Sequence, residues 1–352
     1  MSRIYSFAVF ISIFLLLSFG MNFYVFARLF GLFKLKKDFL FWAVLIICTT
    51  SLIGASIFQS FTGNIISRII YTLAAGWYGI LWLLFSALIV YEILRPFIKI
   101  NSSVAGALII IVVALLTIYS IINAQLVRIK NLKIPGPIDA NIVQLSDIHI
   151  GSVSVNFLKR ILDKTNALNP DLVLITGDLV DNYNADTQKA IALLKNLKAP
   201  VLFVTGNHEK YVGPARITKL LTAANVNVLN NQLADFSQIQ VLGIDYNDNE
   251  KDLEHIIEKL NIDKSKFCIL MSHRPVELKT PTGIDLALTG HTHAGQIFPF
   301  NYIVGLFYLY TSGLHKQNNT YIYGTPGTGT WGPRMRLGSR SEIVLIKIRK
   351  KL

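Results

Sequence analysis

The chain has 352 residues, enough for more than one folded unit. Only 16 % of them are charged, and the mean hydropathy of +0.46 is high for a soluble protein. The net charge of +13 invites a nucleic-acid partner, but residues 1–134 hold eleven Lys/Arg against only Asp38 and Glu92, whereas the remainder carries twenty-three basic and nineteen acidic residues. The excess therefore flanks apolar runs, which points to a lipid surface and excludes nucleic acid as the reading of the charge.

Four charge-free runs open the chain: Ile4 to Ala27, Phe39 to Ser67, Ile69 to Val90 and Ile100 to Val127. Each is long enough for a helix to cross a hydrocarbon core, which takes about 20 residues. They predict a membrane region over residues 1–129, with spans at about 4–27, 39–60, 69–90 and 104–127. The first run is too long for a cleaved signal peptide and has no small-residue cleavage site after it. Trp42, Tyr71 and Tyr91 lie near helix ends, as interfacial anchors do. These features describe a multi-pass protein of the cell membrane. Its orientation is nearly balanced. The "KLKKD" cluster at Lys34 to Asp38 favours a cytoplasmic first loop and an extracytoplasmic C-terminal domain, while Arg128, Lys130 and Lys133 pull the other way. Cys48 falls in a span and Cys268 in an expected strand, so no disulfide framework reports the compartment.

Residues 130–139, "KNLKIPGPID", read as a Pro/Gly-broken linker to a domain over 140–352. From there short apolar runs alternate with helical stretches. The runs are "NIVQLSD", "DLVLITGD", "PVLFVTGN", "IQVLGID", "KFCILMSH" and "IDLALTGH", each near-continuous as in strands covered on both faces. Helices are expected from the Ser154 N-cap onward and over about 187–198, 215–224 and 253–260. The alternation predicts an α/β layered domain. Asp147, Asp178, Asn207, His273 and His291 each close one of the six runs, and ligands bind beyond the carboxyl ends of such strands.

In chain order the ligand-type residues are Asp147-x-His149, Gly177-Asp178-x-x-Asp181, Gly206-Asn207-His208-Glu209, His273 and Gly290-His291-x-His293. Carboxylate, carboxamide and imidazole without thiolate suit Mn, Fe or Zn rather than a structural zinc knot. This set resembles the calcineurin-like metallophosphoesterase superfamily, whose pattern is DxH, GDxxD, GNHE, a lone His and GHxH. "GHTHAGQ" and the tail "GTGTWGPRMRLGSRSEI" further resemble its membrane-associated bacterial branch, whose relatives are exported. The resemblance implies a domain of two β-sheets sandwiched between helices (αββα) and two divalent metal ions. It implies that Asp147, His149 and His293 hold one ion and Asn207, His273 and His291 the other, with Asp178 bridging. His208 would face the substrate phosphate as the catalytic residue, with Asp181 and Glu209 orienting ligands. The chemistry expected is hydrolysis of a phosphate mono- or diester by a metal-bridging hydroxide.

Some residues invite less. His255 reads as a solvated helix face, His315 as a loop residue, Asp245 as a turn former and Cys268 as core. "GQIFPFNYIVGLFYLYTSGL" (Gly295 to Leu314) reads as a core hairpin or, alternatively, as a lip dipping into the lipid interface. Arg334 and Arg336 in the glycine-rich tail are candidate contacts to a substrate phosphate. Together these features suggest a membrane-anchored phosphoesterase acting on an amphipathic, lipid-linked or envelope substrate. The alternative is a transporter or sensor with a regulatory phosphoesterase domain.

Overall fold

All four charge-free runs are helical in the computed structural model, which describes residues 3–246, 252–278 and 282–350. They form α1 (Arg3–Leu32), α2 (Phe39–Thr62), α3 (Ile65–Leu94) and α4 (Ser102–Gln125), each long and apolar enough to cross a bilayer. Asp38 caps α2 by accepting from the N–H of Leu40 and Phe41, and left-handed Gly63 closes that helix. Asn64 caps α3 on the N–H of Ser67. Two helices outrun their expected limits: α1 passes Arg28, and α3 includes both Arg68 and Glu92. Arg28 and Glu92 pair with each other, so neither charge has to end its helix. Several polar groups further in are matched as well. Ser18 bonds Tyr78 (2.6 Å), Tyr78 donates to the Thr49 carbonyl (2.7 Å) and Trp77 to Asn22 (3.0 Å). The short segment Gly332–Met335 belongs to this helical unit, where Met335 takes the space a side chain at Gly79 would need.

The second unit comprises Asn123–Trp331 and Arg336–Leu352. In chain order it contains β1 (Arg128–Gly136), β2 (Ala140–Leu145), α5 (Val155–Ala167), β3 (Leu172–Ile175), α6 (Ala185–Ala192), β4 (Val201–Phe203), α7 (Asn207–Val212), α8 (Pro214–Ala223) and β5 (Val226–Val228). Then follow β6 (Gln232–Phe236), β7 (Ile239–Gly243), α9 (Asp252–Lys259), β8 (Phe267–Met271), β9 (Leu286–Thr289), α10 (Phe300–Gly305), β10 (Gly313–Gln317), β11 (Thr320–Gly324) and β12 (Glu342–Lys350). One sheet runs β1-β12-β2-β3-β4-β5 and the other β10-β11-β9-β8-β7-β6. Within them β2 to β5, and β7, β8, β9 and β11, are parallel.

Apolar side chains fill three layers. Ile142, Leu174 and Leu202 of one sheet meet Val241, Ile269 and Leu288 of the other between the sheets. Val143, Val173 and Phe203 pack outward against α5, α6 and α8, while Leu242, Cys268 and Leu270 pack against α9. The result is an αββα sandwich with both faces of its parallel strands covered. Ser154 accepts from the N–H of Phe157 (3.2 Å) and starts α5.

The stretch 130–139 is not a linker. Nine residues from Arg128 to Gly136 pair in parallel with β12, and Leu132 and Ile134 turn into the core. As an edge strand it tolerates Pro135, and interleaved lysines mask its alternation. His315 lies on β10 rather than in a loop, with Nε2 2.9 Å from the Ser312 carbonyl. His255 is exposed on α9, as expected. The apolar stretch after His293 is no core hairpin: α10 has no buried residue.

Candidate active site

The strands end two to four residues before the first ligand-type side chain that follows each. Those side chains therefore project from turns at the carboxyl ends of β2, β3, β4, β8 and β9. Asp147, His149, Asp178, His291 and His293 all take positive φ, between 50° and 72°. Non-glycine residues rarely adopt this region, and it persists where surrounding structure enforces it, most often at functional sites. The neighbouring glycines have a direct role. A Cβ at Gly206 would overlap Asp178 Oδ1, and one at Gly290 would overlap Ser146 Oγ and Asp147 Oδ2.

These turns bring together two groups of donor atoms. In the first, Nε2 of His149 lies 3.0 Å from Nε2 of His293, which is 3.5 Å from Asp147 Oδ1. In the second, Nε2 of His273 lies 3.1 Å from Asp178 Oδ2, and 3.2 Å from both His291 Nδ1 and Asn207 Oδ1. Asp178 Oδ2 is also 3.9 Å from His149 Nε2, so one carboxylate faces both groups.

The ring protons are placed by partners behind the donors. His149 Nδ1 donates to Asp181 (2.7 Å) and His273 Nδ1 to the Thr176 carbonyl (2.8 Å), which turns each Nε2 toward the opposing donors. Burial, followed by the neighbouring His273, lowers the pKa of His291 to about 3. Burial with His149 and Arg336 depresses that of His293 as well. Burial alone would disfavour charge on His273, but Asp178 outweighs it and raises its pKa to about 9. Nitrogens converging on one another and on carboxylates call for positive charge among them, which the Nε2 proton of His273 supplies in the metal-free site and a divalent cation would supply in its place. The donor set therefore fits divalent metal.

His208 is the second residue of α7, with its ring edge-on to His149 at 4.7 Å and to Trp331 at 5.7 Å. Its Nδ1 lies 3.0 Å from Asp181, and its N–H donates to Asp178 Oδ1 (2.9 Å). Burial works against its charged form, but the Asp181 hydrogen bond and the charges of Asp181, Asp178 and Glu209 raise its pKa to about 9. His149, Asp181 and His208 also cluster at ligand distance. There His149 presents the Nδ1 already bonded to Asp181, so the cluster is a hydrogen-bonded relay.

Glu209 is fully buried and accepts the N–H groups of Asp178, Leu179, Val180 and Gly206 at 2.7–3.2 Å. Four donors on two oxygens suit an ionised carboxylate, and they lock the turn that carries Asp178 to the turn that carries Asn207. Glu209→Gln would set an amide donor against these N–H groups. A loss on the order of 3 kcal/mol is expected, read as a lowered Tm together with weaker metal uptake.

Arg336 does not serve as a phosphate contact. It is fully buried and donates to the carbonyls of Pro326, Gly329 and His293 and to Ser339 Oγ. Its guanidinium ties the tail to the turn bearing His293, and burial lowers its pKa to about 10, still charged at neutrality. Arg334 falls in the helical unit, with Arg68 and Tyr71 as neighbours.

Other contributors carry no spacing motif. Ser146 Oγ donates to Asp147 Oδ2 (2.6 Å), and the His291 N–H donates to the same carboxylate at 3.0–3.1 Å. The hydroxyl of Tyr308 lies 3.0 Å from His291 Nε2. Only the tertiary fold brings Tyr308 there. In the sequence the aromatic run around it reads as a core hairpin or a lipid-facing lip, neither of which marks Tyr308 as a site residue.

The profile of the calcineurin-like phosphoesterase family matches residues 140–295. An uncharacterized metallophosphoesterase of Campylobacter jejuni is 35 % identical over 264 residues, covering 69 % of each chain. One of Helicobacter pylori is 36 % identical over 60 % of each. The transmembrane protein with metallophosphoesterase domain of Danio rerio is 32 % identical over 68 % of this chain and 62 % of its own. Matches thus span about 60 % of the length of the latter two relatives. The chain belongs to the calcineurin-like metallophosphoesterase family.

Proposed function

We propose that the protein is a membrane-anchored dinuclear metallophosphoesterase that hydrolyses a phosphate mono- or diester carried on an amphipathic, lipid-linked or envelope molecule. The observation that carries this reading is Asp178, whose carboxylate faces both donor groups. Asp147, His149 and His293 would hold one ion, Asn207, His273 and His291 the other, and Asp178 both. Mn, Fe and Zn all suit such O and N donors. Two divalent ions held there would lower the pKa of a coordinated water and offset charge on the phosphoryl oxygens.

The chain's own residues do the rest. His208 keeps its Nδ1 proton on Asp181, so its Nε2 proton is available to a leaving oxygen at the mouth of the site. Asp181 also fixes the tautomer of His149 and receives the N–H of Ser152 (2.9 Å). Ser146 and the His291 amide hold Asp147 in one orientation. The matched polar groups within the helical unit support an anchor rather than a pathway. The "KLKKD" loop supports an extracytoplasmic catalytic domain.

The test uses the full chain in nanodiscs, with metal content measured and turnover followed on p-nitrophenyl phosphate beside bis-p-nitrophenyl phosphate. Chelation is expected to abolish turnover and Mn²⁺ to restore it, with oxygen from labelled water appearing in the phosphate product. Unchanged turnover in fully demetallated protein would refute this reading.

A further inference from the structure

From Gly295 to Thr311 the chain leaves the HxH turn and returns to it without one charged residue. Both ends of this excursion are clamped. A Cβ at Gly295 would run into the backbone of Asn301, so α10 lies directly on the turn that carries His293. At the return, Thr292 Oγ1 donates to the Thr311 carbonyl (2.7 Å) and Tyr308 bonds His291. Ile297 is buried and Tyr308 turns to the site, but most of the apolar side chains between these clamps face outward. Leu306, Phe307 and Leu309 are 82 %, 77 % and 70 % exposed, and Phe298, Phe300 and Tyr302 are exposed as well. A held backbone that turns its apolar side chains to solvent beside a catalytic site is an interaction surface.

Its chemistry selects the occupant. Phenylalanine, tyrosine and leucine without acidic neighbours suit the boundary between hydrocarbon and water, where aromatic rings concentrate. Trp331, 55 % exposed, is joined to this turn by a reciprocal pair of hydrogen bonds with the Gln296 side chain, both 3.0 Å. Cations flank the site beside this surface: Arg274 is over the Tyr308 ring at 5.8 Å and Lys210 over Tyr246 at 5.1 Å, the Tyr246 ring itself 6.4 Å from that of His291. Only two residues separate the end of α4 at Gln125 from the start of β1 at Arg128. For a domain on so short a tether, a bilayer is the apolar phase always within reach.

We propose that residues 298–309 form a lip that seats in the interfacial layer of the bilayer, and that the esters hydrolysed are those carried at that surface. This rests on the phosphoesterase reading, and it names the surface on which that site works. Tyr308 belongs to the lip and to the site at once, so the element that meets lipid also positions His291.

The test places a photoreactive diazirine phenylalanine at Phe307 of the full chain in phosphatidylcholine–phosphatidylglycerol nanodiscs. The control carries the same group at Glu258, exposed on α9. Adducts are identified by mass spectrometry after illumination, independently of turnover. Several-fold more lipid adduct at 307 than at 258 is expected. Equal yields, or a crosslink from 307 to a second copy of the chain, would overturn the lip. The unlabelled protein is assayed in the same nanodiscs on soluble p-nitrophenyl esters. Turnover there without lipid adducts at 307 sinks the lip alone. Adducts without turnover uphold the membrane seat and sink the phosphoesterase reading and, with it, the substrate claim.

Discussion

Asp178→Asn is expected to lower turnover of either p-nitrophenyl ester by roughly 10³-fold or more, since several kcal/mol of stabilisation depend on both ions staying in place. The cause is local. Oδ2 of Asp178 lies 3.1 Å from His273 Nε2 and faces His149 Nε2 at 3.9 Å, while Oδ1 receives the His208 N–H. Burial alone would raise its pKa, but His273, His208 and His149 together hold it below the usual carboxylate range, so the native group is an anion. The asparagine amide is neutral, and its NH₂ would point a donor where a cation is to be bound. Bound metal should fall in parallel, measured by elemental analysis of the dialysed protein. An Asp178→Asn protein that kept both its metal and its turnover would remove the case for a shared carboxylate.

His208→Asn is expected to act differently. Its ring lies outside the two groups assigned to metal, so metal content should hold while kcat falls by about 10²–10³-fold, the span of a lost general acid. The loss should be largest for alkyl esters, whose leaving oxygen needs a proton, and smaller for p-nitrophenyl esters, whose leaving group departs as an anion. The sign of the pH dependence follows from the raised pKa. The acid form of His208 persists up to about 9, so the native rate should decline as pH rises through that value. His208→Asn should abolish that alkaline limb. Asp181→Asn, which removes the carboxylate 3.0 Å from Nδ1, should move it to lower pH. An alkaline limb that survives unchanged in His208→Asn would assign the proton to another group.

How much could be read before folding depended on the kind of signal. The four helices long and apolar enough to cross a membrane were legible because a bilayer demands long apolar runs, and composition alone reports them. Their ends were not, since the pairing of Arg28 with Glu92 on another helix is invisible in either run. Strands buried on both faces stood out as apolar blocks. β1 did not, because an edge strand with lysines and a proline looks like a linker until β12 pairs with it.

The same division runs through the site. Residue types and their order, from Asp147 to His293, were determined by the sequence, because each donor is bound to a motif a few residues long. What only the tertiary structure decided is which nitrogen of each imidazole faces the centre. It also decided that Arg336 serves backbone carbonyls instead of substrate, and that Tyr308 reaches His291. The apolar stretch after His293 was ambiguous for the same reason. Hydrophobicity says that a side chain avoids water, but only the backbone's clamps on Gly295 and Thr311 decide whether it turns to the core or outward. Local chemistry is written in short motifs, whereas burial and direction arise from contacts between residues distant in the chain.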